Sequence, residues 1–147
     1  MDAKDRLSRL ARLKEQAVAG GGEKRIAGQH SKGKLTARER IAALLDAGTF
    51  EELGALVSQA SSSAAPGENG FQPEAVVTGY GLVNTRPVYV YAQDFTVSGG
   101  SLSEEVAGKV CKVMDLALKN GTPVVGLIDS GGARIQEGVA SLAGYGE

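Results

Sequence analysis

DSGGARIQEG, residues 129–138, follows the short apolar run PVVGLI and puts two glycines where a strand should stop. Three chemistries compete for such a segment. Ser130 could be a nucleophile. The backbone N–H groups of Gly131, Gly132 and Ala133 could surround an anion. Or the glycines could serve a tight turn from strand to helix and nothing more. A serine nucleophile needs a histidine and a carboxylate brought to it. The one histidine, His30, lies in a distant basic stretch, and the nucleophile-elbow pattern G-x-S-x-G fails because residue 128 is Ile. The phosphate-loop pattern is absent, and neither GYG at 79–81 nor SGG at 98–100 makes G-x-G-x-x-G ahead of a helix. His30 has no ligand-spaced neighbours, so no metal site is expected. What remains is the plain turn or an oxyanion hole. Glycines open backbone angles closed to other residues, and a helix starting just after them would aim its N–H groups and positive dipole end at the same point.

Other residues carry weaker signals. Arg134 and Glu137 lie three apart on the expected helix, which suits either an ion pair or a ligand contact, and Gln136 could brace the loop. Cys111 falls on an apolar helical stripe and reads as a core cysteine.

These residues must be positioned by the elements around them. Residues 2–18 read as an amphipathic helix with Leu7, Leu10, Ala11, Leu13, Ala17 and Val18 near one side. Gly20–Gly22 ends it. Residues 23–34, EKRIAGQHSKGK, read as a polar basic loop. Thr36 and Glu39 make a capping box for a helix to about Asp46. FEELGALV is ambiguous, and 58–73 reads as an exposed loop rich in Ser, Ala, Gly and Pro. From Glu74 the chain turns β-branched and aromatic. AVVTGYGLV and PVYVYAQDFTV form an expected hairpin about Asn84–Pro87. Gly99-Gly100 breaks the second strand. Ser101 and Glu104 suggest a capping box for a helix to about Lys119, with Val106, Ala107, Val110, Cys111, Val113, Met114, Ala117 and Leu118 as its stripe. PVVGLID is a buried strand, and the segment from Gly131 turns into another helix. Strand, helix, strand with Gly-Gly turns between them predicts an α/β crossover. The chain ends at Glu147 inside that last expected helix, which reads as truncation.

Bulk composition sets limits. Of 147 residues, 42% are hydrophobic and 22% charged, ordinary for a globular protein, while the 21 glycines are about twice the usual share. One cysteine allows no internal disulfide and suits a reducing compartment. No secretory leader or transit peptide is legible, and no apolar run approaches a membrane span. The cytoplasm is therefore expected, or the mitochondrial matrix in a eukaryote. Net charge is −1, but residues 1–40 hold eleven Lys and Arg against five Asp and Glu, leaving an acidic body. A basic head suits an anionic partner or a solvated face. Nothing points to nucleic acid.

DSGGARIQEGVASL, with QDFTVSGGSLSE upstream and KGKLTARERI further back, resembles the carboxyltransferase (β) subunits of biotin-dependent acyl-CoA carboxylases, of the propionyl-CoA carboxylase and methylmalonyl-CoA decarboxylase type. The resemblance spans residues 23–57 and 75–147. It implies a crotonase-like α/β fold, a spiral of ββα units. Here it would be an incomplete N-terminal half over 75–147, preceded by a helical basic segment over 1–48 and a linker over 49–74. It implies transfer of a carboxyl group between biotin and the α-carbon of a short acyl-CoA, with biotin supplying the base and backbone amides holding the enolate. Gly131, Gly132 and Ala133 match the oxyanion loop, and Gly99 and Gly100 the earlier turn of the same cleft. A second glycine-rich loop beyond residue 147 would complete the hole. Arg134, Lys34 and Arg38 are the implied CoA contacts, with Lys24, Arg25, Lys32 and Arg40 as further cations. Implied partners are biotin carboxyl carrier and biotin carboxylase subunits, in a homo-oligomer with its site at a dimer interface. The chain departs from the family pattern at Ser98, at Ile128 and in FQPEAVVTGYG. A stand-alone CoA-binding or assembly module without turnover is the competing expectation.

Overall fold

The computed structural model describes residues 2–59 and 71–146. Most of the expected exposed loop at 58–73, and the chain end at Glu147, lie outside them. Helix α1 (Ala3–Val18) opens on a capping box of Asp2 and Asp5. Only Leu13 and Ala17 of its apolar stripe are buried, against Phe71 and Ala55, and Leu7 is exposed. The stripe is thus wider than the face it covers. Helix α2 (Glu23–His30) replaces the expected basic loop. The run EKRIA is built of good helix formers, and Gly22 at the N-cap followed by Glu23 in the first turn lets a helix start at once. Helix α3 (Ala37–Leu44) has the expected box, with Thr36 Oγ1 accepting from Glu39 N and Glu39 Oε2 accepting from Thr36 N.

Strands β1 (Glu51–Leu53), β2 (Val76–Val83), β3 (Arg86–Gln93) and β4 (Val124–Leu127) form one sheet in that order. The ambiguous FEELGALV supplies β1, antiparallel to β2 with Glu51 opposite Tyr80. The β2–β3 hairpin is in register from Val76↔Gln93 to Val83↔Arg86. Helix α4 (Glu104–Asn120) then crosses over, and β4 returns parallel to β3, Tyr89 opposite Val124. Strand alternation sends Val77, Val88, Val90 and Ala92 to α3, where Ala37, Ile41 and Leu45 meet them. Val76 faces the other way, packing with Ala75, Val97 and Val106 near the start of α4. The sheet is therefore covered on both faces, as an α/β layer requires.

Two expectations near the glycine turns fail. Ser101 is not the N-cap of α4. Residues Ser98–Gly100 form a 3-10 turn, the Ser101 hydroxyl donates to Ser98 O at 2.7 Å, and Ser103 caps the helix by accepting from Val106 N at 3.0 Å. Nor does a helix follow Gly131-Gly132. The chain stays extended, with Ala133 bridged in parallel to Leu102. It then makes a 3-10 turn at Ile135–Glu137 and enters a short helix α5 (Val139–Ala143) only after Gly138. The pairing to Leu102 captures the backbone that a helix would have needed. The helix start expected directly after Gly131-Gly132 therefore lies at Val139 instead.

Candidate functional site

The hairpin and crossover bring both glycine turns to one end of the sheet, beyond the carboxyl ends of β3 and β4. They are bonded to each other. Gly131 N donates to Gly99 O at 2.9 Å, Leu102 N to Gly132 O at 2.9 Å, and Arg134 N to Leu102 O at 2.8 Å. Gly100 sits at φ +65°, and a Cβ built on it would collide with the Asp129 carbonyl oxygen. Only glycine permits that approach. Gln93 Nε2 donates to Gly100 O at 3.2 Å and holds the first turn to the end of β3.

The amides divide by role. Gly131 N–H is committed to Gly99. Gly132 N–H donates to the Ser130 hydroxyl at 3.0 Å, a partner that one side-chain rotation removes. In a parallel bridge the two residues flanking Ala133 bond to Leu102, so the N–H of Ala133 points to the opposite side. It has no partner among the described residues. Gly99, Gly100, Gly131, Gly132 and Ala133 thus come together as one backbone-lined wall.

The expected cations are placed differently from one another. Lys34 Nζ is 2.9 Å from Asp129 Oδ1, and Gln29 Nε2 donates to Asp129 Oδ2 at 2.8 Å. Burial works to raise the Asp129 carboxyl, but the hydrogen bonds from Lys34 and Gln29 outweigh it and hold its pKa below the usual carboxylate range. Lys34 also lies 5.5 Å from the Phe95 ring centre. An open groove of about 310 Å³ runs beside this pair, lined by Lys34, Leu35, Arg40, Ile128 and Asp129. Arg38 points inward instead, paired with Glu52 at 2.7 Å and donating to Ala17 O.

Arg134 is buried directly beneath the second turn. Its Nη2 meets Glu74 Oε2 at 2.8 Å and its Nη1 meets Glu137 Oε1 at 3.0 Å. Burial works to lower its pKa, and the Glu74 and Glu137 carboxylates outweigh this and raise it. Glu74 was not singled out from sequence. It lies sixty residues from its partner, so no local spacing could reveal it. Gly21 was also legible only as a helix terminator. Its N–H donates to Thr96 Oγ1 at 3.1 Å, and a Cβ there would strike the Thr96 backbone, so the joint between α1 and α2 packs against the approach to the first glycine turn. His30 is bonded to Glu39 at 2.9 Å on the surface, and among the described residues no cluster of His, Cys, Asp or Glu could hold a metal ion.

The family model for the carboxyl transferase domain matches residues 28–147. The chain is 56% identical over 144 residues to the propionyl-CoA carboxylase beta chain of Cereibacter sphaeroides, covering 98% of this chain and 28% of that one. It is 52% identical to the methylmalonyl-CoA decarboxylase subunit alpha of Propionigenium modestum, covering 99% and 28%. Among solved structures, transcarboxylase 12S with methylmalonyl-coenzyme A and methylmalonic acid bound superposes with a TM-score of 0.88 at 46% identity, covering 99% of this chain and 29% of that one. The crotonase-like α/β fold follows from these neighbours. The chain spans about 28% of the length of the curated relatives it matches.

Proposed function

The chain belongs to the carboxyl transferase domain family, and from that premise we propose that it forms the acyl-CoA-holding part of a carboxyltransferase subunit, which moves a carboxyl group between biotin and the α-carbon of a short acyl-CoA. The observation that carries this reading is the pair of bonded glycine turns with the Ala133 N–H turned outward and unpartnered among the described residues. Within it, residues 1–48 are the helical basic segment, 49–74 a connection that also contributes β1 to the sheet, and 75–147 the beginning of the acyl-CoA domain. Biotin, when bound on its carrier, supplies the carboxyl group and the basic nitrogen that takes the α-proton. The wall fits such a division of labour, because its open donor is a backbone amide and the neighbouring carboxylates of Asp129 and Glu137 are held by Lys34 and Arg134.

The Ala133 N–H faces the thioester oxygen and stabilises the charge that grows there as the enolate forms. Gly132 adds a second amide once the Ser130 hydroxyl rotates away. Losing one such donor typically costs roughly 2.7–4 kcal/mol of barrier. Gly131, locked to Gly99, keeps the turns joined. Lys34 and Arg40 edge the groove beside Asp129 and offer positive charge to the CoA phosphates. Partners in this reading are a biotin carboxyl carrier, a biotin carboxylase subunit and a second copy of the chain, in the cytoplasm.

A second reading, a CoA-binding or assembly module without turnover, is favoured by one fact. Two of the three loop amides already have internal partners. Carboxyl transfer from carboxylated carrier to propionyl-CoA, measured with the full-length protein, separates the two. Transfer that falls by about 100-fold in Gly100→Ala supports the enzyme reading, since a misplacement near 1 Å costs about that much. CoA binding without transfer supports the module. Absence of both activities removes both readings.

A further inference from the structure

We propose that Glu74 is a positioning residue: through Arg134 it sets the spacing between the two glycine turns, and so the aim of the Ala133 amide. The proposal rests on the carboxyltransferase reading. Arg134 immediately follows Ala133, and its side chain touches three separate parts of the site. Its Nε donates to the Ser101 hydroxyl at 3.3 Å, and that hydroxyl in turn donates to Ser98 O, within the first turn. Its two terminal nitrogens donate to both oxygens of Glu74, at 3.3 and 2.8 Å. Nη1 also reaches Glu137 Oε1 at 3.0 Å, at the 3-10 turn beyond the loop. Four of the five guanidinium hydrogens are thereby assigned, and a planar fork held at four points has one orientation.

Glu74 anchors that fork. Its side chain is fully buried, its Oε2 also accepts from Ala75 N at 3.2 Å, and its own N–H is tied to Val57 O. It sits just ahead of β2. A carboxylate held there fixes the guanidinium, and the guanidinium fixes the backbone of residue 134, whose N–H completes the bridge to Leu102. The neighbouring amide of Ala133 inherits this placement. Ser101, which is free of helix capping, is thereby explained as the link to the first turn.

The test uses the full-length carboxyltransferase with its biotin carrier, and compares Glu74→Gln, Arg134→Gln, the double variant and Glu74→Asp. Two affinities are measured beside the kinetics: that for propionyl-CoA, and that for a CoA derivative ending in a nitronate, which carries the negative charge of the enolate. Glu74→Gln is expected to lower kcat about 100-fold with KM changed less than about threefold, and to lose nitronate affinity in step with kcat. The double variant is expected to be no worse than the poorer single one, because both break one clamp. Glu74→Asp, which keeps the charge one methylene shorter, is expected to recover part of the loss. Should Glu74→Gln fail to fold, Glu74→Asp and Arg134→Lys are read alone, and their nitronate affinity is expected to fall more than their propionyl-CoA affinity. Equal loss of both affinities, or a change confined to melting temperature, overturns the positioning role. An unmutated protein that binds neither ligand and transfers nothing refutes the carboxyltransferase reading itself, and the clamp with it.

Discussion

Lys109 shows what burial does to a single residue. It lies on α4 with its stem packed inside the protein and its Nζ donating to Val76 O at 2.7 Å. Burial lowers its pKa from 10.5 to about 8, against the raising influence of Glu52 and Glu74. The unfolded chain therefore holds a proton between about 8 and 10.5 that the folded chain has released. Its contribution to stability is least favourable below about 8 and grows as pH rises through that window. The stability of Lys109→Met minus that of the unaltered protein is expected to fall between pH 7 and pH 10, by at most about 3 kcal/mol. Urea unfolding at several pH values checks this, and a flat difference would contradict the burial. The residue types at the glycine turns were legible because glycine and β-branched runs report on backbone angles directly. Lys109, Glu74 and Gly21 were not, because their importance lies in partners remote along the chain.

Among the elements, the start of α4 turns on a choice between two serines. Ser101 and Ser103 are both plausible caps by type, and only Ser103 has its hydroxyl on the helix. Ser103→Ala should destabilise the protein by about 1 kcal/mol, near the usual worth of a cap, and should speed hydrogen exchange at Val106. Ser101→Ala should leave Val106 exchange unchanged while loosening residues 98–100. The reverse pattern would exchange the two roles. The helices α1 and α3 and the β2–β3 hairpin were legible from period and capping or turn residues, and α4 from its apolar period, all of which are local. The missing helix after Gly132 was not. Its sequence permits one, and the bridge from Ala133 to Leu102 overrides it. Helix α2 reads as a charged loop because its apolar content is low.

Taken whole, the molecule pairs its basic head with its acidic body. Lys34 meets Asp129 and Arg38 meets Glu52, so part of the charge asymmetry is spent internally. At the other end of the chain Ile135, Val139, Leu142 and Tyr145 are exposed together, and Leu118 on α4 is exposed as well. Among the described residues β4 pairs on one side only. Apolar surface of this kind beside an open strand edge favours association. The 147-residue polypeptide alone is expected to self-associate, with sedimentation coefficients that rise with concentration. Ile135→Lys with Val139→Lys should suppress this. A single monomeric species up to high concentration, before substitution, would show that the face is tolerated in water.

The sequence by itself determined the α/β crossover, the two glycine turns, the starts of α1 and α3, and the family, since each rests on short-range patterns or a contiguous motif. Only the tertiary structure decided that the turns are bonded to each other, that Ala133 rather than Gly131 offers an open amide, and that Arg134 is clamped by Glu74. Those outcomes depend on which backbone groups find partners across the fold. A buried N–H or guanidinium must be satisfied by whatever the packing brings within reach, and that partner can lie sixty residues away.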